Sequence, residues 1–93
     1  MTNGGTKPIV FSQHAADQLA DRGTSREEVI QAVRFGARQP AKKGRIAYTK
    51  NFSFEKEWKG RYYRIKQVMP IVAEEKEKYI VVTVFVFFFG GEK

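Results

Sequence analysis

Arg61, Arg64 and Lys66 stand close together in the chain with Tyr62 among them, and a metal-free cut of an RNA phosphodiester needs little more than such a set. The cations would clamp the phosphate and hold the charge that develops as a ribose 2′-hydroxyl attacks it, while a neighbouring group takes the proton. Tyr62, Tyr48 and the single histidine, His14, are the available proton carriers. Histidine as a residue type titrates near neutrality, which suits it for acid or base work. His14 nevertheless stands three residues before Asp17 and eight before Arg22 with no second catalytic group beside it, which favours a structural residue at a helix start over a catalytic one. The cations have a second reading too, as a solvated outer face that binds without reacting.

Charge concentration favours a phosphate-rich partner. Residues 34 to 66 carry eleven Lys and Arg against Glu55 and Glu57, a local charge of +9 in a chain of +7, so the remainder is slightly acidic. Tyr48, Phe52, Phe54, Trp58, Tyr62 and Tyr63 are interleaved with those cations. That combination neutralises phosphates and stacks bases, which makes nucleic acid the expected partner. Lys43, Arg45, Lys59, Arg61, Arg64 and Lys66 are the expected contacts. Trp58, beside Lys59-Gly60, is either a stacking platform at a hairpin tip or a cap over the edge of the core.

Other chemistries are excluded by residue type. The chain has no cysteine, so disulfides, thiolate catalysis and cysteine-ligated metals are out, and one histidine argues against a histidine-built metal site. No phosphate-binding glycine loop, nucleotide-binding fingerprint or nucleophile elbow occurs, and no cofactor is expected. The Glu74 to Lys78 run mixes acids with Lys76 and Lys78 and reads as a solvated loop without chemistry. The start MTNGGTKP lacks a signal-like apolar core, and the apolar run from Tyr79 to Phe89 is far short of the roughly 20 residues of a spanning helix. A cytoplasmic protein without a membrane partner is expected.

The elements that must position these residues read as α-α-β-β-β. Flexible tails are expected at 1–8 and 90–93 around a single domain at 9–89. Ser12 can cap a helix over 13–22 whose Ala15, Ala16, Leu19 and Ala20 share a face, with Gly23 as a left-handed stop. Ser25-Arg26-Glu27-Glu28 is a capping box that opens a second helix, with Val29, Ile30 and Val33 buried, Phe35 beside them and Gly36 at the end. Beyond Pro40 the pattern turns to β: Arg45 towards Trp58, a turn at Lys59-Gly60, a return from Arg61 to Met69, a break or bulge near Pro70, and a last strand over Tyr79 to Phe89. The expected architecture is a two-layer α+β domain, a helical hairpin on a three- to four-stranded antiparallel sheet.

Side-chain alternation then assigns faces. In the returning strand, Tyr63, Ile65, Gln67 and Met69 are expected under the helices, leaving Tyr62, Arg64, Lys66 and Val68 as a basic, aromatic open face. The last strand is apolar on both faces, with Tyr79, Val81, Thr83, Phe85 and Phe87 on one and Ile80, Val82, Val84, Val86 and Phe88 on the other. Two short helices cover one face only, so the other needs long neighbours or another chain, a homodimer mate or a cognate protein partner.

The segment Phe11-Ser12-Gln13-His14-Ala15, followed by Asp21-Arg22-Gly23-Thr24-Ser25-Arg26-Glu27-Glu28-Val29 and Gly36, resembles the domain-of-unknown-function 4258 family, and Val81-Val82-Thr83-Val84-Phe85 is similar to that family's ending. The likeness covers about residues 11 to 89. Gln18-Leu19 stands where an Arg-Met pair is usual in the family. By order of elements and size the family looks related to the RelE/ParE-like and BrnT-like toxins, small basic proteins that act on RNA or other targets and are neutralised by a partner. The resemblance therefore implies a RelE-like fold, a toxin-type, RNA-binding or ribonucleolytic role and a cognate antitoxin-like protein partner. The alternative is a non-catalytic module that binds protein or nucleic acid.

Overall fold

The computed structural model describes residues 7–91, so most of the expected tails, at 1–6 and 92–93, lies outside the described residues. Lys7 and Pro8 are tied down: the Pro8 carbonyl accepts from the Tyr79 amide at 2.9 Å and the Lys7 ammonium lies 4.4 Å above the Tyr79 ring. At the other end Gly90 accepts from the Arg64 amide.

The chain runs β1 (Ile9–Phe11), α1 (Gln13–Arg22), α2 (Arg26–Phe35), β2 (Ala37–Pro40), a short 3-10 turn (Lys42–Gly44), β3 (Ile46–Trp58), β4 (Arg61–Glu74) and β5 (Tyr79–Phe89). Both helices start on hydroxyl caps, because the first amides of a helix have no internal partner. Ser12 Oγ accepts from the Ala15 amide at 3.0 Å and Ser25 Oγ from the Glu28 amide at 3.2 Å. Gly23 ends α1 in the left-handed region, φ 78°. Gly36 ends α2 in extended geometry, and its lack of a side chain is what lets α2 dock: a Cβ there would lie 2.5 Å from the Ala32 carbonyl oxygen and 2.6 Å from that of Thr49.

The capping box is only half formed. Glu28 does not return to the Ser25 amide; its carboxylate accepts instead from Thr24 Oγ1 at 2.9 Å and from Lys66 Nζ at 2.7 Å.

The sheet has five strands in the order β1-β5-β4-β3-β2, and it is mixed, not the expected three- to four-stranded antiparallel sheet. The last strand is interior, with β1 pairing parallel to its start, Ile9 opposite Tyr79. β2 arises in a segment for which no element was expected and pairs antiparallel with β3, Ala37 opposite Thr49. Lys59 and Gly60 both take positive φ, 53° and 86°, as the two-residue turn of a twisted hairpin requires. Pro70 does not end β4. Its effect is local: no partners are paired across β3 at Tyr48 and Thr49, and the ladder to β5 shifts register between Ile71 and Val72.

That shift is a bulge in β5 at Val82, and it reverses side-chain parity along the strand. Tyr79 and Val81 point towards the helices before it, and Val84 and Val86 after it, so Thr83, Phe85 and Phe87 leave the face expected for them. The Val84 amide freed at the bulge donates to Gln18 Oε1 at 2.8 Å, and Thr83 Oγ1 donates to the same oxygen at 2.9 Å. Gln18 thereby closes the β5 edge that the three-residue β1 leaves uncovered.

The core is built from small residues. Ala15, Val29, Ala32 and Val33 of the helices pack on Tyr48, Val68, Val72, Val81 and Val84. Phe35, expected beside this stripe, is 71% exposed instead. In β4 the buried positions are Lys66, Val68, Pro70 and Val72, the opposite parity to that expected, and Ile65, Gln67 and Met69 face away from the helices. The face away from the helices is therefore neither basic nor tyrosine-rich.

The parity follows from Lys66. Its side chain is 9% exposed, with the ammonium held by the Glu28 carboxylate, by the Gly23 carbonyl at 2.9 Å and 5.2 Å from the Phe54 ring. A buried charge of this kind is tolerated only while paired. Glu28→Ala should cost about 3 kcal/mol in urea denaturation, whereas Glu28→Gln combined with Lys66→Met should stay within about 1 kcal/mol of the parent, because it removes both charges and keeps the packed stem. Equal midpoints for Glu28→Ala and the parent would rule this anchoring role out.

Candidate nucleic-acid interface

The candidate residues fall into four separate places. At the hairpin end, Arg61, Tyr62 and Tyr63 line a cavity of about 510 Å³ together with Gly60 and Gly91. Arg64 is exposed nearby, its side chain lying along Gly90. At the other end of the sheet, Lys42, Lys43 and Arg45 ring a cavity of about 430 Å³ floored by Ile71, Thr83 and Phe85. Arg61 and Ile71 lie ten residues apart on β4, roughly 33 Å at 3.3 Å per residue. No single phosphate can touch both groups.

Lys66 is internal and neutralised by Glu28, so it belongs to the folding of the chain. His14 is exposed in the first turn of α1, outside the lining of both cavities. The proposed catalytic set of His14, Tyr62, Arg64 and Lys66 is thus spread over the first turn of α1, the hairpin end and the core beneath the helices.

The aromatic residues of the hairpin are likewise engaged. Trp58 stacks on Phe88 at 5.4 Å between centroids and 20° between planes, and it presses on Gly23. Phe54 and Tyr63 close on the same ring at 5.2 and 5.4 Å. Trp58 is therefore a cap over the core edge, the second of the two roles open to it. Lys59 and Lys56 lie 5.3 Å over the Trp58 and Phe54 rings, which leaves their ammonium groups outward.

Tyr48, the third possible proton carrier, is committed elsewhere. It is buried, and its hydroxyl donates to Glu74, whose other oxygen accepts from Arg38 at 2.9 Å. Burial, then the hydrogen bond to Glu74, pushes the Tyr48 phenol up to about 12. Burial alone would raise the Glu74 carboxyl, but the hydrogen bonds from Tyr48 and Arg38 outweigh it and hold the carboxyl below its ordinary value. Glu74, given no role in the sequence reading, is thus the residue that ties β4 to β3 and β2. Among the described residues no group of three or more His, Asp or Glu side chains is gathered to hold a metal ion.

What remains for binding is uncommitted charge. Of the eleven cations between 34 and 66, Lys42, Lys43, Arg45, Lys50, Lys56, Lys59, Arg61 and Arg64 have no carboxylate partner among the described residues, and most are exposed. Sequence reasoning did not single out Lys42, although its place beside Lys43 in a basic run was the available signal. Comparison with protein-family models, curated proteins and solved structures finds no match to this chain.

The Tyr48 assignment is directly measurable. In an alkaline titration of tyrosinate absorbance, one step should come near 12 and be absent from Tyr48→Phe. A raised phenol pKa means the folded state keeps a proton that the unfolded state has lost, so folding stability should fall as pH rises from about 10 to about 12. Glu74 works in the opposite direction: its contribution is complete above the ordinary glutamate pKa and is lost as pH falls through its lowered value.

Proposed function

We propose that this chain is a non-catalytic nucleic-acid-binding module that holds single-stranded RNA through its phosphates. The observation that carries the reading is the set of eight cations between 42 and 64 without a carboxylate partner among the described residues, against Glu55 and Glu57 alone in that stretch. Phosphate neutralisation by such groups supplies affinity without sequence preference. Trp58, Phe54 and Tyr63 are already packed on Phe88, so base stacking contributes less than their number in the sequence promises. The dispersal of His14, Tyr62, Arg64 and Lys66 supports binding over cleavage, since in-line attack needs its groups within a few ångströms of one phosphate.

The hairpin end is the expected grip. Lys56, Lys59, Arg61 and Arg64 are all exposed there, with the cavity bordered by Arg61 and Tyr62 at its centre. Four phosphate contacts give a slope of about −3 for log affinity against log salt on a single strand. Arg61→Ala combined with Arg64→Ala should halve that slope, weaken binding of unrelated single-stranded RNAs to the same degree and leave circular dichroism unchanged. Binding that does not saturate at moderate salt, or a slope indifferent to the two substitutions, would refute the reading. Scission of the RNA by the parent and not by the double variant would instead establish the ribonuclease that the toxin resemblance implies.

A further inference from the structure

Away from the hairpin end, the strand positions that face away from the helices carry no charge. Cross-strand pairing places Ser53, Ile65 and Phe89 in one row, Asn51, Gln67 and Phe87 in the next, and Ala47, Ile71 and Thr83 in another. Met69 pairs with Phe85 between them, and Ala73, Ile80 and Val10 extend the face towards β1. Ala37, Gln39 and Thr49 complete it on the β2 side. In a chain with 29% charged residues, roughly five of these outward positions would be charged at the average frequency, and surface positions run higher. The charge is on the helical side and at the two ends.

This neutral face is also the apolar one. Phe85, Phe87 and Phe89 are 37%, 45% and 41% exposed, with the rings of Phe85 and Phe87 6.5 Å apart and nearly parallel. Val10 is 39% exposed, and Ile65, Met69, Ile71 and Ile80 fill in between. From a ring side chain of about 200 Å², the three phenylalanines present roughly 80 Å² each. A standard interface takes about 800 Å² from each partner, a little over half of it apolar. The three phenylalanines supply about half of that apolar need, and their aliphatic neighbours are placed to supply the rest.

We infer that the occupant of this face is a second copy of the same chain, packed sheet against sheet. A molecule of net charge +7 repels its own copy wherever cations would meet, and the centre of this face, at Gln67, Met69 and Phe87, holds none. Lys42, Lys43 and Arg45 stand around Ile71, Thr83 and Phe85 at one end, and the Arg22 guanidinium lies 5.8 Å over the Phe85 ring at the β5 edge. An oppositely charged partner would gain from cations spread through the contact, and here they stand only at its margin. Charge also chooses the axis. A two-fold parallel to the strands would bring Lys42, Lys43 and Arg45 of both copies together, whereas a two-fold across the strands sets that cluster beside the hairpin end of the mate, where Glu55 and Glu57 offset part of the charge of Lys56, Lys59, Arg61 and Arg64. Gln67, Met69 and Phe87 lie near the centre of such a contact.

Sedimentation equilibrium of the full chain tests this. The parent, of chain mass 10.7 kDa, should sediment at twice that mass at micromolar concentration, and the association should hold or tighten as salt is raised, because salt screens the repulsion of two +7 chains. Phe87→Asp should weaken association at least about tenfold. Met69→Lys should do the same, and it serves as the check if Phe87→Asp fails to melt cooperatively. A parent that stays at 10.7 kDa up to millimolar concentration overturns the inference and leaves the face to an unlike partner or to none. A dimer that persists in both folded variants, or one that salt dissolves, overturns it as well.

Discussion

One buried ammonium decides which side of this sheet is inside. Lys66 reaches from the middle of β4 to the Gly23 carbonyl at the end of α1 and to Glu28 in the first turn of α2, so a single cation joins both helices to the sheet at the point where they meet. The Gly23 carbonyl is among the acceptors that a helix end leaves without an internal partner, and Glu28 is the residue expected to close a capping box; both take Lys66 instead. Turning β4 over by one residue would send this charge into solvent, strip Glu28 and Gly23 of their partner and replace Val68 and Val72 in the core by Gln67 and Ile71. Register and face are therefore specified together.

From that constraint follows the segregation of charge. With Lys66 inside, the outward positions of β4 are Ile65, Gln67, Met69 and Ile71, and the bulge at Val82 swings Phe85, Phe87 and Phe89 to the same side. The cations that remain free are carried by the hairpin end, the 41–45 turn and the helical side. One molecule thus has a charged exterior and a sheet face that is neutral at its centre, with Lys42, Lys43 and Arg45 at the margin between them.

Both helices were legible because their signals are local: hydroxyl caps at Ser12 and Ser25, glycines at 23 and 36, and apolar residues at helical spacing. The long hairpin was legible from Lys59-Gly60 and its flanking β-rich segments. β1 was not, since three residues have no periodicity and gain their order from β5, which is seventy residues away. The faces of β4 and β5 were misread for a related reason. Alternation separates inside from outside only when one face is polar, and here Val68, Pro70 and Val72 on one side look no more buried than Ile65, Met69 and Ile71 on the other. The bulge in β5 has no sequence marker except Gln18, which lies in a different element. The site was less legible than the fold, because the cations read as a binding surface include one, Lys66, that folding consumes.

The edges of the sheet bear on what kind of assembly its open face permits. A sheet that self-associates through its edges grows without limit, and exposed apolar strands invite this. Here the edge strands are β1 and β2, three and four residues long, and Pro40 ends β2 with a residue that has no amide to donate. Beyond β1 the edge of β5 is closed by α1, with the Ser12 amide on the Val81 carbonyl and Gln18 on the Val84 amide. Beyond β2, β3 kinks at Glu55, which takes a positive φ of 50°, next to Lys56. Short, capped and kinked edges disfavour strand addition, whereas the apolar face remains open to pairing across a two-fold. A contact of that geometry is satisfied by one mate and then closed, so the same chain can carry an aromatic face in water without inviting the fibril that an open edge would nucleate.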